Sequence, residues 1–270
     1  MRIGICGLGF VGNAIMQYLN NFIDLNITDL SVVVYDKYKN IGNFKSLVET
    51  DILFICLPTL YDYELKSYNM SEIDSTLVEL SYYNYKGIIL IKSTILPPYL
   101  STINKIYPYL RLCNNPEFLS ASTAVDDFAK QNHIVLGYTA QSRDCIDVIR
   151  CFYETLFPFS KISVTTSECS SLMKLACNSF YATKVQYFTE LYLLCNKLQV
   201  SYEEVKNLML NNDWINPMHT QVPGSDGQVS FGGSCLPKDL AALNAFIDAM
   251  GTPHNVIQSV IDERKLMRHE

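Results

Sequence analysis

Three short stretches hold the residue types and spacings that could do chemistry. In "FGGSCLPKDL" (231–240), Cys235, Lys238 and Asp239 stand beside the glycine pair Gly232 and Gly233. Adjacent glycines lose much backbone entropy on folding and offer no side chain to pack, so their use beside a thiol points to something that approaches the backbone closely. In "SSLMKLACNSF", Lys174 and Asn178 are four residues apart and project from one face of a helix, where both could address a single oxygen. "NNPEFLS" supplies Glu117 and "IKSTILPP" supplies Thr94, each just after a strand-like run. Taken singly, each has a plain structural reading. Thr94 could be a turn residue, Glu117 a surface carboxylate, Cys235 a small hydrophobe, and Lys174 with Asn178 a solvated helix stripe.

These residues need a scaffold, and the hydrophobic pattern describes one. Over 1–165, the runs "RIGIC", "SVVVYD", "ILFICL", "GIILIK", "RLCN" and "HIVLGY" alternate with helical patterns. Such alternation predicts βαβ crossovers and a mostly parallel sheet, whose strand ends on one edge are where ligands bind. From 166 to 270 the strand pattern stops. Residues 167–199 contain neither Gly nor Pro and place apolar residues at helical spacing, which predicts a long helix opening a helical second domain. Ser201 with Glu204 predicts a capping box on the next helix. A Pro-, Gly- and Asn-rich loop over 211–238 and two further helices complete it. The expected fold class is α/β: an N-terminal domain with a mostly parallel sheet over 1–165, followed by an all-helical central domain over 166–270 that carries the cysteine loop.

"GICGLGFVGNAI" places Gly7, Gly9 and Gly12 in G-x-G-x-x-G spacing between the first strand and an apolar helix. A pyrophosphate can touch the backbone of such a turn and sit against unpaired helix N–H groups. The next strand ends in Asp36, 24 residues after Gly12 (36 − 12), where an acid can bind the ribose hydroxyls and repel a 2′-phosphate. NAD is the expected cofactor, and 1–165 reads as a Rossmann-type NAD-binding domain. The net charge of −6, with no run of Lys and Arg, argues against a nucleic-acid surface. No apolar run reaches the ~18 residues of a membrane span, and the N-terminus does not read as a signal peptide. The expectation is a soluble cytoplasmic protein. Nine cysteines, none in a C-x-x-C pair, read as reduced thiols and not as a disulfide framework or a metal site.

"GLGFVG", "KSTILPP", "NPEFL", "MKLACNSFYATKV" and "FGGSCLPKD", in that order, resemble the nucleotide-sugar dehydrogenases, the UDP-glucose 6-dehydrogenase and GDP-mannose 6-dehydrogenase family. The resemblance runs through nearly the whole chain. It implies two-step oxidation of a sugar C6 alcohol to a carboxylate, with Cys235 as nucleophile and Lys174 and Asn178 stabilising an oxyanion. Glu117 and Thr94 would act in acid/base and water-positioning roles, with Asp239 supporting that water. Gly7, Gly9, Phe10, Val11, Gly12, Asp36, Thr59, Thr94 and Lys238 would serve the cofactor. Glu117, Lys174, Asn178, Pro223, Gly224 and Gly232 would contact the substrate, and the chain would form a homodimer.

The chain also departs from the family pattern. Where the family carries arginine in a D-R-I-G run, this sequence reads "NDWIN", with Trp214 in that place. Its loop before the glycines is longer, and Ala121 stands where a second glutamate is common. Family members continue into a third α/β domain that binds the substrate nucleotide, so the expectation is a short form without it. Two other readings stay open. One is a single-step 3-hydroxyacid-type dehydrogenase, which would use a lysine and no cysteine; the other is a catalytically degenerate NAD-binding partner.

Overall fold

A computed structural model of the chain describes residues 1–24 and 29–268. In chain order the elements are β1 (Arg2–Cys6), α1 (Phe10–Asp24), β2 (Ser31–Tyr35), α2 (Phe44–Leu47), β3 (Ile52–Ile55), β4 (Tyr61–Asp62), β5 (Ser67–Tyr68), α3 (Ser71–Tyr82), β6 (Ile88–Ile91) and α4 (Tyr99–Ile106). They continue with β7 (Arg111–Asn114), α5 (Ala124–Ala129), β8 (His133–Tyr138), α6 (Ile146–Leu156), β9 (Lys161–Thr166), α7 (Ser167–Leu198), α8 (Tyr202–Leu210), α9 (Leu236–Ala249) and α10 (Asn255–Met267). Contacts divide the chain into two units, Met1–Leu60 with Tyr68–Lys174, and Tyr61–Ser67 with Leu175–Glu270.

The first unit is built on a seven-stranded sheet among the described residues, in the order β2-β1-β3-β6-β7-β8-β9. All pairings are parallel except β7 with β8. Both sheet faces are covered, and the sequence of β3, "ILFI", shows how. Ile52 and Phe54 enter a core with Ile15 and Leu19 of α1 and Phe152 of α6, while Leu53 and Ile55 enter a second core with Leu77 of α3 and Leu100 of α4. A strand apolar at every position is the signature of a sheet buried on both sides. From β1 the chain steps outward to β2 and then returns to β3 on the other flank of β1. The carboxyl ends of β1 and β3 therefore border a switch point, where such folds open a ligand crevice. β9 does not follow from the strand runs read in the sequence, because "KISVTT" has too few large apolar residues to stand out; its side chains are only half-buried or exposed.

The second unit is helical apart from the short β4–β5 ladder, of which β4 packs against α9. Among the described residues, two small cores run through it. Ala182, Phe231, Leu240 and Val260 join α7, the glycine-rich loop, α9 and α10, and Phe188, Cys195, Tyr202 and Val222 join α7, α8 and the long loop. One half of the capping box expected on α8 is present, with Ser201 Oγ accepting from the Glu204 N–H at 3.3 Å. α7 runs unbroken for 32 residues. α9 begins at Leu236, so Lys238, which the sequence pattern places in the loop, lies with Asp239 in a helical first turn. Among the described residues, no helix is long and apolar enough to cross a membrane.

Candidate active site

The turn after β1 is shaped by its glycines. Gly7 has φ of +91°, and a Cβ there would lie 2.7 Å from the Cys56 carbonyl oxygen at the end of β3. A Cβ on Gly12 would lie 1.9 Å from the Gly7 oxygen, so α1 starts this close to β1 only with glycine in that place. A Cβ on Gly9 would meet no heavy atom within 4 Å, which leaves that side of the backbone open to a ligand. Phe10 opens α1 and is exposed, whereas Val11 packs on the core. Asp36 closes the turn from the side. Its Oδ2 accepts from the Leu8 N–H at 2.8 Å, and its Oδ1 from Tyr38 and Lys39 at 3.0 and 2.9 Å. Partial burial pushes the Asp36 carboxyl up, but these three backbone donors outweigh it and hold the group below its usual range. Thr59 Oγ1 donates to the Thr94 carbonyl at 2.8 Å, and Ser93 Oγ to the Leu57 carbonyl at 2.6 Å, so the chain segments leaving β3 and β6 are tied together. A tight turn, an open backbone at a helix start and an acid at the end of the next strand suit a dinucleotide.

The first unit also brings Glu117 and Lys174 together. Lys174 Nζ stands 3.5 Å from Glu117 Oε1, with side-chain exposures of 7% and 13%. Glu117 Oε2 accepts from the Leu119 N–H at 2.5 Å, and the Lys174 ammonium lies 5.1 Å from the Phe118 ring centre. Sequence reading missed a second lysine here. Lys92 directly follows the strand "IILI", and its Nζ is buried, 3.1 Å from Asn115 Oδ1 and 3.5 Å from the Pro116 carbonyl. Burial lowers its pKa to about 8, with Cys56 and Glu117 opposing that shift and Lys174 adding to it. A lysine flush against a fully apolar strand was the available signal.

In the second unit, Cys235 is exposed and occupies the N-cap of α9, its carbonyl accepting from the Asp239 N–H at 3.0 Å. Ser234 Oγ lies 3.7 Å from its sulfur. Asp239 is fully buried; its Oδ2 accepts from Asn178 Nδ2 at 2.6 Å and its Oδ1 from Lys238 Nζ at 2.5 Å. The glycine loop is fastened by two arginines of the last helical stretch, which the sequence did not reveal. Arg264 Nε donates to the Phe231 carbonyl at 2.9 Å. Arg268 donates to the carbonyls of Val229 at 2.8 Å and Ser230 at 3.1 Å and to Asp226 Oδ2 at 2.7 Å. A Cβ on Gly232 would lie 2.0 Å from Arg268 Nη1, so that glycine makes room for the guanidinium. Pro223 and Gly224 sit in an adjoining turn, closed by the Gly224 N–H donating to the Gln228 carbonyl at 2.8 Å. Trp214 is 94% exposed.

A mostly parallel sheet with a glycine turn at its switch point, and a helical unit with an exposed thiol at the start of the helix that carries a buried carboxylate, are features of a nucleotide-dependent dehydrogenase of the two-unit α/β kind. The UDP-glucose/GDP-mannose dehydrogenase family matches twice, by its NAD binding domain over residues 36–157 and by its central domain over residues 168–264. The chain belongs to that family, and NAD is its cofactor. It is 29% identical to the UDP-glucose 6-dehydrogenase of Rickettsia typhi over 98% of this chain and 67% of the relative. It is 32% identical to that of Rickettsia conorii over 85% of this chain and 52% of the relative. The chain thus spans between about half and two thirds of these relatives. A UDP-glucose dehydrogenase from Pyrobaculum islandicum shares the fold with a TM-score of 0.80 at 20% identity, over 98% of this chain and 68% of that one.

Proposed function

We propose that the protein is an NAD-dependent nucleotide-sugar 6-dehydrogenase that oxidises the C6 alcohol of UDP-glucose to the carboxylate of UDP-glucuronate. The observation that carries this reading is Cys235, an exposed thiol at the start of the helix that also holds the buried Asp239 between Asn178 and Lys238. NAD, when bound, accepts the hydride in each of two oxidations. Gly7, Gly9, Phe10, Val11 and Gly12 are assigned to its pyrophosphate, Asp36 to its ribose, and Thr59, Thr94 and Lys238 to the remainder.

Glu117 receives the C6 hydroxyl proton, directly or through water, as C6 is oxidised to an aldehyde. The Cys235 sulfur then gives an electron pair to the aldehyde carbon, and the carbonyl π pair moves onto oxygen. That oxygen is the one Lys174 and Asn178 stabilise, an ammonium and an amide held in place before charge develops. Oxidation of this thiohemiacetal restores the C=O bond and leaves a thioester on Cys235. Water positioned by Thr94 and Asp239 adds to it, and the C–S bond breaks with its pair on sulfur. One alcohol, one water and two NAD give one carboxylate, two NADH and three protons. Pro223, Gly224 and Gly232 are assigned to substrate contacts. A homodimer is the proposed working form, supported by the exposed Phe180, Tyr187 and Leu194 at seven-residue intervals along α7.

The test is a screen of nucleotide sugars for NADH formation, scored by the ratio of NADH to acid, with Cys235→Ala beside the wild type. Two NADH per acid from the wild type, and no acid from a variant that still binds NADH, are expected. One NADH per sugar, or normal acid formation by Cys235→Ala, would overturn the mechanism.

A further inference from the structure

Lys92 has no part in the chemistry above, yet it is 3% exposed at the end of a strand in the apolar core of the first unit. A buried ammonium is costly unless something is gained from its bonds. Its bonds all go to one segment, the residues that lead into Glu117. Nζ reaches Asn115 Oδ1 at 3.1 Å and the Pro116 carbonyl at 3.5 Å. Asn115 is fixed on its other sides as well. Its backbone N–H donates to the Ile91 carbonyl at 2.8 Å, its Nδ2 to the Val135 carbonyl at 2.9 Å, and its Oδ1 also accepts from the Tyr153 hydroxyl. The Pro116 carbonyl has no such support from β6, β8 or α6, and Lys92 is its hydrogen-bonding partner among the described residues. The carbonyl of the peptide joining Pro116 to Glu117 therefore takes its hydrogen bond from Lys92, while the Glu117 side chain pairs with Lys174 at 3.5 Å.

We infer that Lys92 is a positioning residue of this site: its buried ammonium holds the Asn115–Pro116 peptides so that Glu117 meets Lys174, and it acts on the reaction only through Glu117. The inference rests on the functional reading given above. The ionisable groups around Lys92 are Cys56 after β3, Cys113 on β7, Tyr153 on α6, Glu117, and Lys174 on α7. Cys113 and Tyr153 are held neutral by burial, as is Cys56. Burial lowers the pKa of the Lys92 ammonium to about 8, so its charge changes close to neutrality.

The experiment compares wild type, Lys92→Met and Lys92→Arg for NADH affinity, kcat and KM with UDP-glucose, and kcat against pH from 6.5 to 9.5. Lys92→Met is expected to lose about a hundredfold in kcat, the scale of a misplaced catalytic group, with NADH affinity within about twofold, because the glycine turn does not depend on it. The wild type should show a falling limb in kcat above about pH 8 that is missing from Lys92→Met. Lys92→Arg, which keeps the charge, should recover part of kcat. Wild-type turnover with an unaltered kcat and pH limb in Lys92→Met overturns the inference and leaves the proposed function standing. A wild type that oxidises no nucleotide sugar overturns both. If Lys92→Met is folded poorly, as judged by lost NADH binding, the pH limb of Lys92→Arg decides: a limb displaced upward supports the inference, and one unmoved from wild type overturns it.

Discussion

The two units fix their functional residues by opposite means. In the first, Asp36 at the end of β2 is caught by backbone N–H groups of the glycine turn and of the residues just after it, those of Leu8, Tyr38 and Lys39. In the second, Cys235 sits on a glycine loop whose carbonyls are answered by side chains from α10, more than thirty positions on. The first arrangement is local and shows itself as a motif. The second is made by folding, and the motif "GGSCLPKD" says nothing about Arg264 or Arg268.

Breaking the first unit's ion pair should have the largest effect. Lys174→Met removes a preorganised donor and leaves Glu117 buried with its partner lost, and kcat should fall by about 10²–10³, measured as NADH formation at saturating substrate. If kcat stays within threefold, Lys174 does not meet the developing charge. The corresponding break in the second unit is Arg268→Ala. It takes the guanidinium from Asp226 and leaves the buried-side carbonyls of Val229 and Ser230 without that donor, and should cost about 2 kcal/mol of stability in chemical denaturation. NADH affinity should be nearly unchanged. A variant as stable as wild type would mean that the loop holds itself.

The legibility of the sequence follows the same division. Gly7, Gly9, Gly12 and Asp36 could be read because their roles depend on spacing along one βαβ unit, and the alternation of apolar runs gave the parallel sheet. β9 escaped, since a half-exposed edge strand has no continuous apolar run. Lys174 and Asn178 were legible as one helix face, but their partners were not. Glu117 and Asp239 lie 57 and 61 residues away in sequence (174 − 117; 239 − 178), and no periodicity carries such distances. Lys92 was missed because a strand-end lysine usually reaches solvent, and only the surrounding elements bury this one.

Smaller effects sharpen the comparison. NADP should replace NAD with kcat/KM lower by tenfold or more, because its 2′-phosphate meets the Asp36 carboxylate, and like charges in contact are costly. Equal efficiency with both would show that Asp36 serves only to close the turn. The smallest effect concerns stability against pH. The folded pKa of Lys92 is depressed to about 8, so above that pH the unfolded chain binds a proton that the folded one does not, and this group's contribution to stability rises toward the unfolded value. Below about 8 the buried charge is a standing cost. Lys92→Met should therefore gain most over wild type at neutral pH, and the gap between their denaturation free energies should narrow as pH rises toward 10. A gap that does not change with pH would mean that Lys92 titrates normally.

The arginine clasp on the glycine loop also bears on when the thiol acquires its setting. Val229, Ser230 and Phe231 offer their carbonyls to Arg268 and Arg264, so a growing chain that has emerged only as far as α9 carries Cys235 on a loop with three consecutive acceptors unanswered. The loop can set only after α10 has left the ribosome and packed. For the same reason, residues 229–240 are not a portable cassette. Moved into another scaffold without α10, they would carry the cysteine but not its geometry.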